Sequence, residues 1–555
     1  MTTAVPRSGR RFAATASVLA AAMAALALAG CGSGPAPAPS PSSALVVKVE
    51  GGRVAGSAEP GLRVFRGIPY AAAPVGGLRW RPPQPVVPWT GVRPCTSYGS
   101  SCPQSGSTIG GGSLPASESE DCLFLNVWTP ATTAHERLPV MVWIHGGGFI
   151  TGSGSLPAGY GEDLSRGEHV VVVSFNYRLG VFGFFAHPAL SAESPLGVSG
   201  NYGLLDQQAA LRWVRRNIAA FGGDPDRVTI FGQSAGGQSV VCQLVSPSSR
   251  GLFTRAIAES PRYEDRGVGL WSTLSLREQE QEGEEIGDGL GIPKGDDAAP
   301  AALRAVPAAR LLEATVAASR GLPLLFVTPP QPSFQPVVDG SVLPGEPWRL
   351  LRAGRWARVP LLVGSNRDEC NMWLTGVKPA DADKVARAAR RRVAWFTGPR
   401  WTVLGTQFPA VDYGGLLPAT SRMMTVLEFN GPVRYLARAA AAQGVPSFLY
   451  YFTRVRDGDP PGVPHSAEVP YVFAVVAAGG KGERSPAADV RLSARVSHYW
   501  ATFAATGDPN ATDLPRWPRY DPAADVLLRL DAVVRAAKAP YVAACAIAEA
   551  ADQTH

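Results

Sequence analysis

The sequence predicts an α/β fold: a central, mostly parallel twisted sheet flanked by helices, with helical insertions over one end of the sheet. Two observations carry that expectation. Short apolar runs bounded by Gly and Pro recur along the chain, and they alternate with stretches whose apolar residues fall at helical spacing. A third observation sets the domain count. From Ala44 to about Ile547 there is no internal repeat and no long low-complexity linker, so one domain over residues 45–547 is expected, with a short tail at 548–555. In chain order, 138–144 (LPVMVWI) and 170–175 (VVVVSF) are buried-strand candidates. Residues 206–219 (DQQAALRWVRRNIA) predict an amphipathic helix. Residues 228–231 form a third strand and a helix opens at Ala235. Residues 359–363 and 448–452 are the fourth and fifth strands. The segments 264–330 and 376–430 are helix-rich and irregular, which suits insertions.

Composition excludes several function classes. The 555 residues are 45% hydrophobic and 17% charged, enough apolar material for a large buried core. The net charge of +7 raises the question of a polyanion partner, but the 52 basic residues are mostly Arg scattered along the chain. The nearest approach to a basic run, 387–392, is interrupted by two alanines and reads as a solvated helix face, so no nucleic-acid partner is expected.

The first thirty residues read as a targeting segment. Arg7, Arg10 and Arg11 precede an alanine-rich apolar stretch from Phe12 to Ala29 that is short for a membrane span. Leu28-Ala29-Gly30-Cys31 resembles a bacterial lipobox, which implies a signal peptide over residues 1–30 and lipidation of Cys31; a plain signal peptide is the alternative. Residues 31–44 would then be a disordered Pro/Ser/Gly tether between the membrane and the folded body. The expected location is the outer face of the cell membrane, or secreted, with Arg10-Arg11 leaving twin-arginine export open. Of seven cysteines, six remain if Cys31 carries lipid. Export permits disulfides. None of the six has a metal-site spacing, so no structural zinc is expected.

The chemistry centres on Gly232-Gln233-Ser234-Ala235-Gly236, a G-x-S-x-G pattern between a strand and a helical stretch that meets no proline until Pro247. A serine on such a tight turn has a strained backbone and needs small neighbours. The helix N-terminus and the Ala235 N–H then face a developing oxyanion. His145-Gly146-Gly147-Gly148-Phe149 follows a strand directly, where glycines let backbone N–H groups turn toward a substrate oxygen.

With its flanks, this nucleophile segment resembles that of the type-B carboxylesterases, in the α/β-hydrolase superfamily: Phe221-Gly222-Gly223-Asp224-Pro225 through Val228, Ile230 and Gly232 to Gly236. Glu120-Asp121-Cys122-Leu123-Phe124-Leu125-Asn126-Val127-Trp128 is similar to a second signature of that family. Phe65-Arg66-Gly67-Ile68-Pro69-Tyr70-Ala71 with Leu78-Arg79-Trp80 matches its start, and Gly507-Asp508-Pro509-Asn510 with Trp517-Pro518 its end. The resemblance spans roughly residues 45–545. It implies an α/β-hydrolase fold, no metal or organic cofactor, and an oxyanion hole of Gly147, Gly148 and Ala235.

Seven histidines compete for the role of base. His555 is at the tail, His135 in a polar turn, His169 before a strand, His187 far upstream of the serine, His498 in a helical pattern, and His145 in the glycine loop. His465 remains. It follows a strand by a loop, downstream of the serine, and Pro464-His465-Ser466-Ala467-Glu468 resembles the family's catalytic-histidine loop. Gly364-Ser365-Asn366-Arg367-Asp368-Glu369 resembles its acid segment, which implies Glu369 as the triad acid, with Asp368 as the alternative. Cys370 stands where the family usually has glycine. The resemblance also implies a Cys102–Cys122 disulfide, structural ion pairs Arg79–Glu120 and Arg178–Asp206, and a missing second bridge at Ile292. Cys242 reads as a buried thiol; Cys95, Cys370 and Cys545 stay unassigned, with Cys370–Cys545 one conceivable pairing.

The expected reaction is hydrolysis of a carboxylic ester through an acyl-enzyme. Gln233 is neutral where cholinesterases carry Glu, and residues 103–121 hold no aromatic residue for a quaternary ammonium. A neutral ester of short to medium acyl chain is therefore expected, on a chain assumed monomeric. The rivals are a catalytically silent adhesion module and a lipase-like acyl hydrolase.

Overall fold

The computed structural model describes residues 45–104, 117–262, 273–292, 297–319, 334–374, 377–456, 462–478 and 486–551. The expected signal peptide, tether and Cys31 lie outside these residues, as does most of the loop between Cys102 and Cys122.

The strands are β1 (Val46–Val49), β2 (Gly52–Ala55), β3 (Ser57–Glu59), β4 (Leu62–Pro69), β5 (Val92–Pro94), β6 (Phe124–Thr129), β7 (Leu138–Ile144), β8 (Val171–Phe175), β9 (Gly223–Gln233), β10 (Arg255–Glu259), β11 (Leu361–Asn366), β12 (Ser447–Phe452), β13 (Val526–Leu530) and β14 (Arg535–Lys538). Eleven of them form one sheet in the order β14-β13-β12-β11-β10-β9-β7-β8-β6-β4-β3. The pairs from β8 through β7, β9, β10, β11 and β12 to β13 are parallel. Antiparallel strands border this parallel centre on both sides. β1, β2 and β5 make a separate small sheet.

Both faces of the central strands are buried, which is why they read as unbroken apolar runs. Along β7, Val140, Val142 and Ile144 enter one core while Met141 and Trp143 enter the other. The first core packs beneath helices Tyr202–Asn217 and Ala235–Val245; the second packs beneath helix Ala487–Thr506.

Element boundaries depart from expectation where tertiary contacts outweigh periodicity. The helix expected over 206–219 spans Tyr202–Asn217. Its start is fixed by Asn201, whose amide exchanges hydrogen bonds with the Val337 backbone, and Asp206 lies inside it. The Asp206 carboxylate is fully buried and receives both the Arg178 guanidinium, at 2.7 and 2.8 Å, and the Arg178 N–H. β9 begins at Gly223, five residues before the apolar run. β11 begins after Pro360, which has no N–H to give a ladder, and continues to Asn366. The tail expected from 548 is helical as far as Ala551. The irregular insertions contain helices Leu276–Gly289, Ala299–Ala305, Ala308–Ser319 and Ala382–Thr397, and a π-helical turn at Val426–Asn430.

Cys102 and Cys122 are disulfide-bonded, with Cα atoms 5.0 Å apart. Arg79 and Glu120 form the implied bidentate ion pair. The conceivable Cys370–Cys545 bridge is not formed: both are free, buried thiols. Burial favours the neutral thiol over the thiolate that oxidation requires, and pushes Cys545 up to about 12. Cys95 and Cys242 are likewise buried and not disulfide-bonded. Among the described residues no helix is long and apolar enough to cross a membrane.

Candidate active site

The G-x-S-x-G segment sits at the end of β9, where the chain turns into helix Ala235–Val245. Ser234 is the pivot, with φ 60° and ψ −125°, a backbone conformation that L-residues hold only under constraint. The neighbouring strand supplies the constraint. A Cβ on Gly232 would lie 2.6 Å from the Ile144 carbonyl oxygen, and one on Gly236 would lie 2.0 Å from the same atom. No side chain fits at either position, so the glycines two before and two after the serine are steric requirements of strand–helix contact. The Ser234 N–H is fixed by the Glu259 carbonyl at 3.0 Å.

The glycine loop leaves the end of β7 and meets the serine. A Cβ on Gly146 would approach Ser234 Cβ to 3.2 Å. Gly147 and Gly148 adopt φ of 109° and 63°, which turns their peptide planes in a way residues with side chains resist. Ala235 is the first residue of its helix, where N–H groups lack an intrahelical acceptor. His145 is structural. Its ring stacks on Tyr177 with centroids 4.3 Å apart, and its Nδ1 lies 2.9 Å from the Gly146 carbonyl oxygen. Complete burial pushes its pKa down to about 4, so it stays neutral.

His465 reaches the same strand ends from the loop after β12. Its Nδ1 lies 2.5 Å from Glu369 Oε2, and both side chains are buried. The imidazole is walled by Trp373 and Phe429, with centroids at 5.1 and 5.2 Å. Nε2 lies 3.2 Å from the side-chain Nε2 of Gln233, the residue before Ser234, and the Gln233 side-chain Oε1 accepts a bond from Ser466 Oγ at 2.9 Å. Glu369 opens the 3-10 turn Glu369–Leu374 after β11. Its other oxygen accepts bonds from Ser260 Oγ and the Asn366 N–H, both at 2.6 Å. Asp368 points elsewhere, to Arg422, Arg367 and the Val463 N–H. Cys370 needs no left-handed backbone, so the turn accepts it in place of glycine, and its N–H donates to Thr425 Oγ1 at 3.1 Å.

Three parts of this site have no simple sequence signal. Ser260 lies 109 residues before the glutamate it bonds. Phe429 comes from the π-helical turn and Trp373 from the turn after the acid. Among the described residues, no group of three or more His, Cys, Asp and Glu is disposed to hold a metal ion.

His145 also sets a pH limit on stability. Its folded-state pKa of about 4 lies below the ordinary 6.5, so the unfolded chain takes up a proton first as pH falls. Stability is complete above about 6.5 and declines toward 4, by up to about 3 kcal/mol. His145→Phe should lose about 2 kcal/mol less than the wild type between pH 7 and pH 4.5 in denaturant titrations; equal losses would show that His145 titrates normally.

Comparison with known proteins agrees with this geometry. The Carboxylesterase family matches residues 43–548. The fumonisin B1 esterase of Sphingopyxis macrogoltabida is 37% identical over 490 residues, covering 87% of this chain and 86% of its own length. The para-nitrobenzyl esterase of Bacillus subtilis (strain 168) is 36% identical over 505 residues, covering 88% and 95%. The crystal structure of a Geobacillus stearothermophilus carboxylesterase superposes with a TM-score of 0.77 at 34% identity, covering 91% of this chain and 99% of that one. The α/β-hydrolase architecture is shared throughout, and the chain belongs to the carboxylesterase family and is a carboxylic ester hydrolase.

Proposed function

We propose that the ester is cleaved by a Ser234–His465–Glu369 triad through an acyl-enzyme. One observation carries this reading: a buried imidazole, bound at 2.5 Å to a buried carboxylate, reaches the strand end that holds a strained serine. Glu369 accepts a hydrogen bond from the Nδ1–H, so Nε2 presents its lone pair toward the serine turn. At rest the Gln233 amide donates to that lone pair. As substrate binds, the Ser234 hydroxyl takes its place; such contacts commonly tighten only in the complex. Ser234 Oγ attacks the ester carbonyl and His465 takes its proton. The Gly147, Gly148 and Ala235 N–H groups stabilise the oxyanion, and the imidazolium protonates the departing alkoxide. Water then repeats the sequence on the acyl-enzyme. The chemistry needs no cofactor.

The preferred substrate is a neutral ester of short to medium acyl chain. Gln233 places no charge beside the nucleophile. The relatives include esterases named for fumonisin B1 and for para-nitrobenzyl esters, which have in common the carboxylic ester rather than one alcohol. The enzyme works outside the cytoplasm, anchored through a lipidated Cys31 after removal of residues 1–30.

Three experiments test this. Ser234→Ala should lower kcat/KM on p-nitrophenyl butyrate by about 10⁴-fold or more, and adding His465→Ala should cost little further, because the triad acts as a unit. Retained activity in Ser234→Ala rejects the triad. In a panel of esters, emulsified triacylglycerol and an anilide, the short neutral esters should lead; a preference for the emulsion would mark a lipase. For the anchor, Cys31→Ala should move the protein from the membrane fraction to the soluble one, and continued membrane partitioning would count against lipidation.

A further inference from the structure

Behind the His465–Glu369 pair lies a group of buried acids that the triad does not use. Glu259 ends β10, in register with Gln233 of β9 and Gly364 of β11. Glu468 follows His465 by three residues. Both side chains belong to residues with no solvent exposure, and Tyr450 of β12 is almost as deeply buried. Glu369 and Glu259 act electrostatically on Glu468, and all three acids act on Tyr450. Among the described residues, neither Glu259 nor Glu468 meets an Arg or Lys. The other groups facing them are the Trp500 indole from helix Ala487–Thr506 and the Asn366 amide from β11.

The donors are divided unequally among the three carboxyls. Glu369 accepts three hydrogen bonds, from Ser260 Oγ, the Asn366 N–H and His465 Nδ1, at 2.5 to 2.6 Å. Among the described residues, Glu259 accepts one, from Trp500 Nε1 at 2.8 Å, and its Oε2 has no hydrogen-bond partner. Glu468 accepts one from another residue, Asn366 Nδ2 at 2.5 Å, beside its own backbone N–H, and among the described residues its Oε1 and the Tyr450 hydroxyl have no hydrogen-bond partner. An ionised carboxylate offers about four acceptor sites and is stabilised by each donor that fills one. Three donors can hold a charge in this interior, whereas one donor from another residue and no cation cannot.

We propose that the Glu259 and Glu468 side chains are held as neutral carboxylic acids at neutral pH, leaving Glu369 the one ionised carboxylate behind His465. This inference rests on the triad reading above. Burial pushes both groups above the ordinary carboxyl range, and Glu369 and Glu259 add to the rise at Glu468, in agreement with the donor count. The consequence falls on the base. Each further negative charge behind the imidazole would stabilise the imidazolium and keep His465 protonated at neutral pH, where it could no longer accept the Ser234 proton. The two neutral acids fill the space beside the triad without adding that charge. Glu259 also supplies, through its backbone carbonyl, the bond that fixes the Ser234 N–H.

The test uses the full chain. In isotope-edited infrared spectra of wild type at pH 7, carboxylic-acid C=O bands should be present, and Glu259→Gln and Glu468→Gln should each remove one. Glutamine is close to isosteric with the neutral acid, so kcat/KM at pH 7 should stay within about threefold of wild type. The acid limb of the pH–rate profile should stay in place, since no charge is lost. Absence of the bands from wild type, or an acid limb displaced downward by about one pH unit or more in either variant, would mean an ionised group was removed and would overturn the inference. If Glu259→Gln does not fold, Glu259→Asp should shift its band rather than abolish it, and an unaltered spectrum overturns the assignment. Failure of the triad reading is distinguishable, because an active Ser234→Ala variant would leave these bands untouched.

Discussion

The structure depends on one close approach: the turn from β9 into helix Ala235–Val245 lies against the end of β7 with no room for a side chain. The Ile144 carbonyl oxygen would be 2.6 Å from a Cβ at position 232 and 2.0 Å from one at 236. The turn is consequently so tight that Ser234 is forced to φ 60°. Ser234 stands at the pivot between strand and helix, and the helix opens at Ala235, directly after it. The glycine loop that leaves β7 through Ile144 passes within contact of Ser234 Cβ. The Ser234 turn and the glycine loop are thus set by the packing of two adjacent parallel strands, and the central core that buries both faces of those strands holds the arrangement against relaxation.

The second requirement is charge placed where it can be used. His145 follows β7 and His465 lies in the loop after β12, and the two have opposite fates. The first has a carbonyl oxygen for its Nδ1 and a phenol ring for company, and burial keeps it neutral. The second has a carboxylate, and the carboxylate has two further donors. A similar partition separates Glu369 from Glu259 and Glu468, and Asp368 from Glu369. Adjacent in sequence, Asp368 is spent on Arg422 and Arg367 while Glu369 turns inward. Hydrogen-bond supply decides which acid serves the base.

Much of this was legible in the sequence, for identifiable reasons. Strands β7 and β8 are buried on both faces and announce themselves as apolar runs. The serine turn is legible because its glycines are sterically obligatory, and His465 because six other histidines could be set aside by position. The choice of Glu369 over Asp368 came from family resemblance; no local property separates two consecutive acids. What stayed hidden was set by long-range contact. The true start of helix Tyr202–Asn217 depends on Asn201 meeting Val337. Ser260 acquires its role only when β10 is laid beside β11. Phe429 faces His465 because of a π-helical turn for which sequence periodicity has no template. The cysteines behave similarly: spacing carries no information on whether Cys370 and Cys545 meet, and burial leaves both reduced.

The most direct measurement is the rate at which a fluorophosphonate covalently modifies Ser234, mapped by peptide mass spectrometry, in wild type and in Gly236→Ala. Wild type should be modified rapidly and at Ser234 alone. The added methyl cannot coexist with the Ile144 carbonyl, so the turn must shift, and a displacement of about 1 Å should slow modification by about 100-fold or more even in folded protein. Modification of Gly236→Ala at the wild-type rate would show that the serine owes nothing to this close approach and would contradict the account.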